Sequence, residues 1–315
     1  MKLCKPLFEI WEQSAGLEGV YKQIERVGRV CYKSEDKITE DSAKPFVDRM
    51  IKSGHGAMLE HGTVYLKVIN KGLSLCNYEK DHIEDKYINN PYSKVVFGKY
   101  PKYNSYEEKL KATQEVYITT NYRVLVENGW LDDLKYICEP TEYHEKRVTV
   151  HFVCDRGVSH EFVRHRVMSF AQESTRYCNY SKDKFGNELT FIKPCWLDIP
   201  TGQYVYWDGD WCDINKMKIQ LPEGEHKDID AFLWTLNNAE THYTLLINSG
   251  WKPQEARAIL PNSLKTELVV TGFTSDWNHF FDLRARGTTG APHPQAKELA
   301  EPLMKEFITR NYIDN

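Results

Sequence analysis

The sequence contains no C-x-x-C pair, although it has eight cysteines in 315 residues. Such pairs are typical of structural zinc sites and redox motifs, so scattered cysteines indicate reduced thiols rather than a disulfide framework or a metal site. The sequence also lacks G-x-G-x-x-G and G-x-x-x-x-G-K-[ST], the glycine loops that usually hold phosphates. If the protein binds a nucleotide, its side chains must therefore hold the phosphate.

Long apolar runs and an excess of positive charge are missing too. No run approaches the roughly 18 to 20 residues that a membrane-spanning helix needs, and the first residues lack the apolar core of a signal peptide. The formal net charge of −4 provides no broad basic surface for nucleic acid. These absences predict a cytoplasmic protein that binds neither membrane nor nucleic acid, so any phosphate binding must be local.

The hydrophobic periodicity mixes helices and strands without regular β-α-β alternation. Alternating apolar and polar residues predict strands over 63–69, 147–154 and 264–273. Helical patterns predict helices over 39–53, 107–128, 228–248, 275–286 and 294–312, a short helix from Pro253, and a helix that begins after Gly157. Residues 182–226, rich in Gly, Pro, Asp and Trp, are expected to form a loop or insertion. This mixture predicts an α+β fold rather than a doubly wound sheet.

The most informative segment is 164–177, R-H-R-V-M-S-F-A-Q-E-S-T-R-Y, with three arginines on an acidic chain. Guanidinium groups suit bidentate binding of phosphate or carboxylate. On a regular helix, Glu161, Arg164, His165 and Met168 would share a face, whereas Arg166 would point about 200° away from Arg164. Either the helix ends here, or the two arginines serve different ligands or different subunits. Residues 172–176 favour a turn, where backbone N–H groups and side chains can converge on an anion.

The spacing of this segment, R-H-R followed by Ser and then Arg-Tyr, resembles the signature of the flavin-dependent thymidylate synthases. Three further segments are similar to motifs of that family: G-H-x-x-x-x-E-H at 54–61, A-R-x-x-L-P at 256–261 and H-F-x-x-L-R at 279–284. Each motif alone has an ordinary structural explanation, such as a surface helix with salt bridges or an apolar core face. Their occurrence together and in this order favours the family.

The resemblance implies a fold, a reaction and an assembly. The fold would be α+β, with a mixed or antiparallel sheet flanked by long helices. The family methylates dUMP to dTMP with carbon from methylenetetrahydrofolate and hydride from FAD recharged by NADPH, without a cysteine nucleophile. Its active sites lie between the subunits of a homotetramer. The one thiol near the signature, Cys178, is therefore expected to be a packed side chain.

The resemblance also implies site residues. Arg284 is the catalytic candidate, because a desolvated arginine can stabilise negative charge on the uracil ring. The residues expected to bind the substrate are Glu161, Arg164, Gln172, Glu173, Ser174, Thr175, Arg176, Arg257 and Arg284. The residues expected to bind the cofactor FAD are His55, Arg164, His165, Arg166, Gln172 and His279. No metal site is expected.

The resemblance covers roughly 26–70, 147–180 and 250–286, within an expected single domain over 1–315 with insertions at about 71–146 and 182–230. The chain departs from the common family pattern at Cys31, Ala57, Glu161, Ala171 and Gln172. Two alternatives stay open. One is another FAD- or nucleotide-dependent enzyme on the same scaffold that has lost methyl transfer. The other is a protein whose arginines bind nucleic-acid phosphates, which the acidic balance of the chain disfavours.

Overall fold

The computed structural model describes residues 1–71, 82–99, 102, 104–105, 107–108, 112–222 and 227–314, so parts of both expected insertions lie outside the described residues. The strands are β1 Lys2–Cys4, β2 Leu7–Trp11, β3 Thr63–Lys71, β4 Lys94–Phe97, β5 Thr113–Asn121, β6 Arg147–Asp155, β7 Ser169–Gln172, β8 Thr190–Ile192, β9 Gly202–Gln203, β10 Val205–Trp207, β11 Asp210–Cys212 and β12 Lys265–Phe273.

The α-helices are α1 Gly16–Tyr32, α2 Ala43–Lys52, α3 Gly56–Leu59, α4 Ile83–Ile88, α5 Tyr122–Asn128, α6 Arg156–Phe162, α7 Lys227–Asn248, α8 Pro253–Ala256, α9 Thr274–Phe281 and α10 Pro294–Thr309. A π-helical turn, Asp282–Arg286, continues α9, and a 3₁₀ turn, Arg257–Ile259, continues α8. Within the described ranges, no helix combines the length and apolar character that a bilayer crossing requires.

The central sheet is antiparallel and has the strand order β2-β6-β12-β7. Its middle strands, β6 and β12, are buried and rich in β-branched residues. The alternating pattern predicted both strands. In the register of the sheet, β7 pairs with β12 from Ser169 opposite Thr271 to Gln172 opposite Leu268. The residues before β7 and the residues after β7 therefore lie towards different ends of β12.

Helices cover both faces of this sheet. On one face, α6, α9 and α10 bury an aromatic core that includes Phe162, Trp277 and Phe280. On the other face, α1 packs Val27 and Val30 against the sheet. Full burial of one such side chain contributes about 1.5–3 kcal/mol. The aromatic residues of α9 are thus part of the core, and the π-helical turn that follows α9 carries Arg284.

Smaller sheets surround this centre. The antiparallel order β3-β5-β4 forms one, and β8-β1-β9 forms another in which β1 and β8 run parallel. The strands β10 and β11 form a hairpin beside α7. Mixed and antiparallel sheets packed against helices confirm the predicted α+β class.

The helix predicted over 107–128 is wrong for much of its length. Residues Thr113–Asn121 form β5, which pairs with both β3 and β4, and among the described residues of this span only 107–108 and Tyr122–Asn128 are helical. The β-branched residues of β5 suit its position between two strands, and the side chain of Asn121 caps α5 by accepting a bond from the N–H of Val124 at 3.1 Å. Residues 109–111 of the predicted helix lie outside the described residues.

The helix predicted to carry the arginine-rich segment ends before the arginines. The helix α6 stops at Phe162, and Val167 adopts a left-handed φ of 78° within the turn that leads to β7. The shared helical face expected for Glu161, Arg164 and His165 therefore does not exist, and the first of the two alternatives is correct. The loop predicted over 182–226 is also partly wrong, because it contains β8 to β11, whose long-range pairing leaves no local pattern.

Candidate active site

Arg284 and Glu161 form the first group of site residues. Nη1 of Arg284 donates to Oε2 of Glu161 at 2.6 Å, and Nη2 donates to the Glu161 carbonyl oxygen at 2.9 Å. Nε donates to Nε2 of His165 at 3.2 Å. The turn after α9 thus holds its guanidinium against the last turn of α6, with all three nitrogen atoms engaged.

His165 is a buried, neutral part of this group. Burial, the charge of Arg284 and the neighbouring His279 together lower its pKa to about 4. A guanidinium can only donate hydrogen bonds, so Nε2 of His165 accepts and Nδ1 carries the proton. The ring of His279 lies 5.9 Å from that of His165, and Phe280 lies 4.9 Å away. Arg284 is therefore oriented by a neutral ring that packs into the aromatic core.

The turn after β7 forms the second group. Nη1 of Arg257 donates to the Thr175 hydroxyl at 3.2 Å, and the N–H of Arg176 donates to Oγ of Ser174 at 3.3 Å. The N–H of Ser174 donates to the carbonyl of Cys31 at 3.0 Å, which ties the turn to the end of α1. The guanidinium of Arg257 thus lies against the predicted turn, which carries two hydroxyl groups and Arg176.

Buried charges lie beneath this turn. The Glu173 side chain is 1% exposed, accepts from the Tyr180 hydroxyl at 2.9 Å and pairs with Nζ of Lys265 at 3.0 Å. Lys265 also pairs with Glu267 at 2.6 Å, and Nε2 of His151 lies 3.0 Å from the same carboxylate. Burial alone would raise the pKa of Glu267, but His151 and Lys265 hold it well below its usual range. Lys265 and Glu267 were not predicted as site residues, although charged residues two positions apart on a strand share a face.

Gln172 and His55 occupy defined positions. Nε2 of Gln172 donates to Ser159 at 2.8 Å and to Thr266 at 3.2 Å, so the amide is anchored to α6 and β12. His55 has Nδ1 at 3.4 Å from the Tyr32 hydroxyl, and the Tyr32 ring lies 5.5 Å from that of Tyr177. In a single chain His55 therefore belongs beside the turn after β7, whereas His279 belongs beside Arg284.

Several site arginines have no carboxylate partner. Across the described ranges, Arg164, Arg166, Arg176 and Arg257 take part in no ion pair, and all four are exposed. Arginines elsewhere, such as Arg310, do form such pairs. On a chain of net charge −4, arginines without a carboxylate partner, two before β7 and two at the turn after it, are suited to anionic ligands.

A single chain divides the predicted residues between its two groups. Arg284 contacts residues that precede β7, and Arg257 contacts the turn that follows it. The four residues of β7 span on the order of 13 Å at about 3.3 Å per residue. The meeting of Arg176, Arg257 and Arg284 around one pyrimidine therefore stays a prediction, since the contacts of Arg284 and those of Arg257 within one chain lie on opposite sides of β7.

The chain is similar to known proteins over this region. A family model described as "Thymidylate synthase complementing protein" matches residues 103–310. A flavin-dependent thymidylate synthase of Pyrococcus furiosus is 31% identical over 163 residues, which are 51% of this chain and 53% of the relative. One of Geobacter sulfurreducens is 25% identical over 129 residues, 41% of this chain and 43% of the relative. The chain thus spans about half the length of the curated relatives it matches.

A solved structure can also be superposed. The crystal structure of a UMP/dUMP methylase, PolB from Streptomyces cacaoi bound with 5-Br dUMP, has a TM-score of 0.41 and 16% sequence identity. The match covers 98% of this chain and 93% of that chain.

Proposed function

The chain belongs to the family of thymidylate synthase complementing proteins, and from this premise we propose that it is a flavin-dependent thymidylate synthase that methylates dUMP to dTMP. In this proposal methylenetetrahydrofolate donates the carbon and NADPH is the reductant. Bound FAD supplies the hydride. The protein acts in the cytoplasm as one domain over residues 1–315.

The observation that carries the proposal is the presence of two arginines without an ion-pair partner among the described residues at the turn after β7: Arg176 within the turn and Arg257 bonded to it. The side chain of Arg257 contacts the Thr175 hydroxyl, and the backbone N–H of Arg176 contacts the Ser174 hydroxyl. Neither arginine forms an ion pair with a carboxylate among the described residues. This combination of cations and hydroxyl donors suits a nucleotide phosphate. We assign the dUMP phosphate to it, with Gln172 and the backbone at Glu173 lining the same pocket.

Arg284 is the residue we assign to the uracil ring. Its side chain is 18% exposed, so charge stabilisation there acts in a partly desolvated setting. The nearby thiol does not compete for this role, because burial raises the pKa of Cys178 to about 11 and leaves it protonated at neutral pH. Positive charge from Arg284 therefore activates the ring without a covalent bond to the protein.

The residues before β7 fit a dinucleotide cofactor. Arg164 and Arg166 are exposed on the turn and have no ion-pair partner in the described part of the chain. Their charges suit the pyrophosphate of FAD. His165 and His279 then position the cofactor beside Arg284, while His55 and Gln172 contribute from the neighbourhood of the other group.

The division of the site between two groups supports an assembly. If the group at Arg284 of one chain faces the turn after β7 of another chain, the arginines converge on one nucleotide. We propose a homotetramer with such active sites between its subunits.

Tritium release tests the reaction. The purified protein is incubated with dUMP tritiated at C5, methylenetetrahydrofolate and NADPH, and the release of tritium and the formation of dTMP are measured. We expect both, together with the absorption spectrum of bound FAD. The variant Arg286→Ala is the matched control for Arg284→Ala, because Arg286 lies on the same turn as Arg284 but pairs with Asp282 on the surface.

A second candidate rests on Gln172. Its amide is held by Ser159 and Thr266 at a position where the family often has an acid. A protein with glutamine in place of this acid could be another flavin- or nucleotide-dependent enzyme on the same scaffold. Bound FAD without any tritium release would support that candidate and contradict thymidylate synthesis. A salt-dependent shift of labelled oligonucleotide without flavin would instead indicate a nucleic-acid phosphate-binding protein.

A further inference from the structure

The Arg284–Glu161 pair leaves a donor and an acceptor side by side. Only Oε2 of Glu161 is bonded to Arg284, and Oε1 has no hydrogen-bond or ion-pair partner among the described residues. The guanidinium has five N–H groups, of which three are used by Glu161 and His165. The pair is partly accessible, since the side chains of Arg284 and Glu161 are 18% and 33% exposed.

A neutral uracil ring offers the complementary pattern. Its N3–H is a donor, and the carbonyl oxygens on either side are acceptors. An N–H of Arg284 can therefore donate to a ring oxygen while Oε1 of Glu161 accepts from N3–H. A cytosine ring has a lone pair at N3 instead, which would face the carboxylate without a proton between them.

We propose that Glu161 accepts a hydrogen bond from N3–H of the substrate and so selects uracil nucleotides over cytosine nucleotides. This proposal rests on the proposed function, because it takes Arg284 as the ligand of the ring. It assigns a specificity role to a residue that departs from the family pattern. The carboxylate also keeps Arg284 in place, but that orienting role alone would not distinguish the two bases.

The chemistry of the carboxylate makes the selection strict. An ionised carboxylate only accepts hydrogen bonds, whereas the amide of a glutamine can rotate and donate to N3 of cytosine. The substitution Glu161→Gln keeps the shape of the side chain and its ability to accept from Arg284. It should therefore relax the choice of base while leaving the arrangement of Arg284 largely intact.

Equilibrium binding to the FAD-loaded protein tests the proposal. The dissociation constants of dUMP and dCMP are measured for the wild type, Glu161→Gln and Glu306→Gln. We expect the wild type to prefer dUMP by about 100-fold or more, because a mispaired site rejects an analogue strongly. In Glu161→Gln the preference should fall by about tenfold, chiefly through tighter dCMP binding. Glu306 pairs with Arg310 on the surface, so the control variant should keep the wild-type preference.

Two results would overturn the role of Glu161. One is an unchanged ratio of dUMP to dCMP affinity in a folded Glu161→Gln protein. The other, which needs no variant, is equal binding of dUMP and 3-methyl-dUMP by the wild type, since the methyl group removes the N3 donor. Absence of dUMP binding to the wild type would instead contradict the proposed function, so the two failures are distinguishable.

Discussion

Arg257 donates from Nη1 to the hydroxyl of Thr175 at 3.2 Å and so joins the turn after α8 to the turn after β7. The two positions are far apart in the sequence, and the contact places Arg257 beside the segment that contains Arg176. A hydroxyl is a neutral partner that leaves the charge of the guanidinium uncompensated. The chain thus holds a cationic turn in place without neutralising it, which favours binding of an external anion.

Loss of Arg176 should chiefly weaken substrate binding. A phosphate contact acts in the ground state and the transition state alike, so Arg176→Ala should raise KM for dUMP by about 10- to 100-fold with a smaller change in kcat. Steady-state kinetics with varied dUMP measure both constants. Arg310→Ala, which removes a surface arginine paired with Glu306, is the control and should leave KM unchanged. An unaltered dUMP affinity in Arg176→Ala would refute the phosphate assignment.

Arg284→Ala should remove most turnover. Loss of one donor to a developing negative charge lowers kcat by about 10²–10³-fold, and the FAD spectrum should persist because Arg164 and Arg166 remain. Single-turnover oxidation of the flavin and formation of dTMP measure the loss of turnover, and the absorption spectrum measures the retention of FAD. The matched variant Arg286→Ala should retain wild-type turnover. Near-normal turnover in Arg284→Ala would show that another group activates the ring.

The sequence was sufficient for elements with strong local patterns. The strands β6 and β12 and the helix α9 appear where alternation and helical periodicity predicted them. The motifs also predicted Arg257 and Arg284 as site residues, and these lie in the turns that continue α8 and α9. Local pattern and global fold agree at these places.

The sequence failed where distant pairing decides the structure. The segment that contains β5 has a helical pattern, but β5 pairs with β3 on one side and β4 on the other, and this pairing favours the extended form. The helix α6 ends at Phe162 so that the chain can reverse into β7, and no proline or glycine marks that end. The separation of Arg284 from Arg257 likewise follows from the register of β7 on β12, which no motif encodes.

Cys178→Ala should spare the activity. Burial raises the pKa of this thiol to about 11, so almost no thiolate exists at neutral pH to attack a uracil ring. Turnover within about threefold of the wild type is expected in the tritium-release assay. Cys195→Ala, which removes an exposed thiol, controls for general effects of cysteine loss. Complete loss of activity in a folded, FAD-loaded Cys178→Ala protein would indicate covalent catalysis instead.

The stability of the fold should decrease in mild acid through His165. Its pKa in the folded protein is about 4, below the ordinary value of 6.5, so the unfolded chain binds more protons between these values. This contribution is fully present above about pH 6.5 and is lost as the pH falls towards 4.

Urea unfolding at pH 7.5 and pH 5.0 measures the effect. The free energy of unfolding should fall from pH 7.5 to pH 5.0 in the wild type, and this fall should be smaller by about 1–2 kcal/mol in His165→Gln. His160→Gln, on the exposed side of α6, should match the wild type. Identical pH dependence in all three proteins would mean that His165 is not buried as a neutral ring.

Substitution of Lys265, which lies beneath the turn after β7, should strongly destabilise the protein. Lys265 neutralises Glu173, whose side chain is 1% exposed, and also pairs with Glu267. Lys265→Met leaves a buried carboxylate without its cation, and removal of one partner of such a pair costs about 3–5 kcal/mol of unfolding free energy.

Two further variants test whether the loss of stability comes from the buried, uncompensated charge. In the double variant Lys265→Met/Glu173→Gln the uncompensated charge is gone, so urea unfolding should show recovery of at least about half of the loss. Lys305→Met removes a 68% exposed lysine that pairs with Glu301, and its unfolding free energy should stay within about 0.5 kcal/mol of the wild type. Because Glu173 begins the turn that holds Ser174 and Thr175, KM for dUMP should rise in Lys265→Met but not in Lys305→Met. Equal stability of the two single variants would show that solvent, rather than Lys265, compensates Glu173.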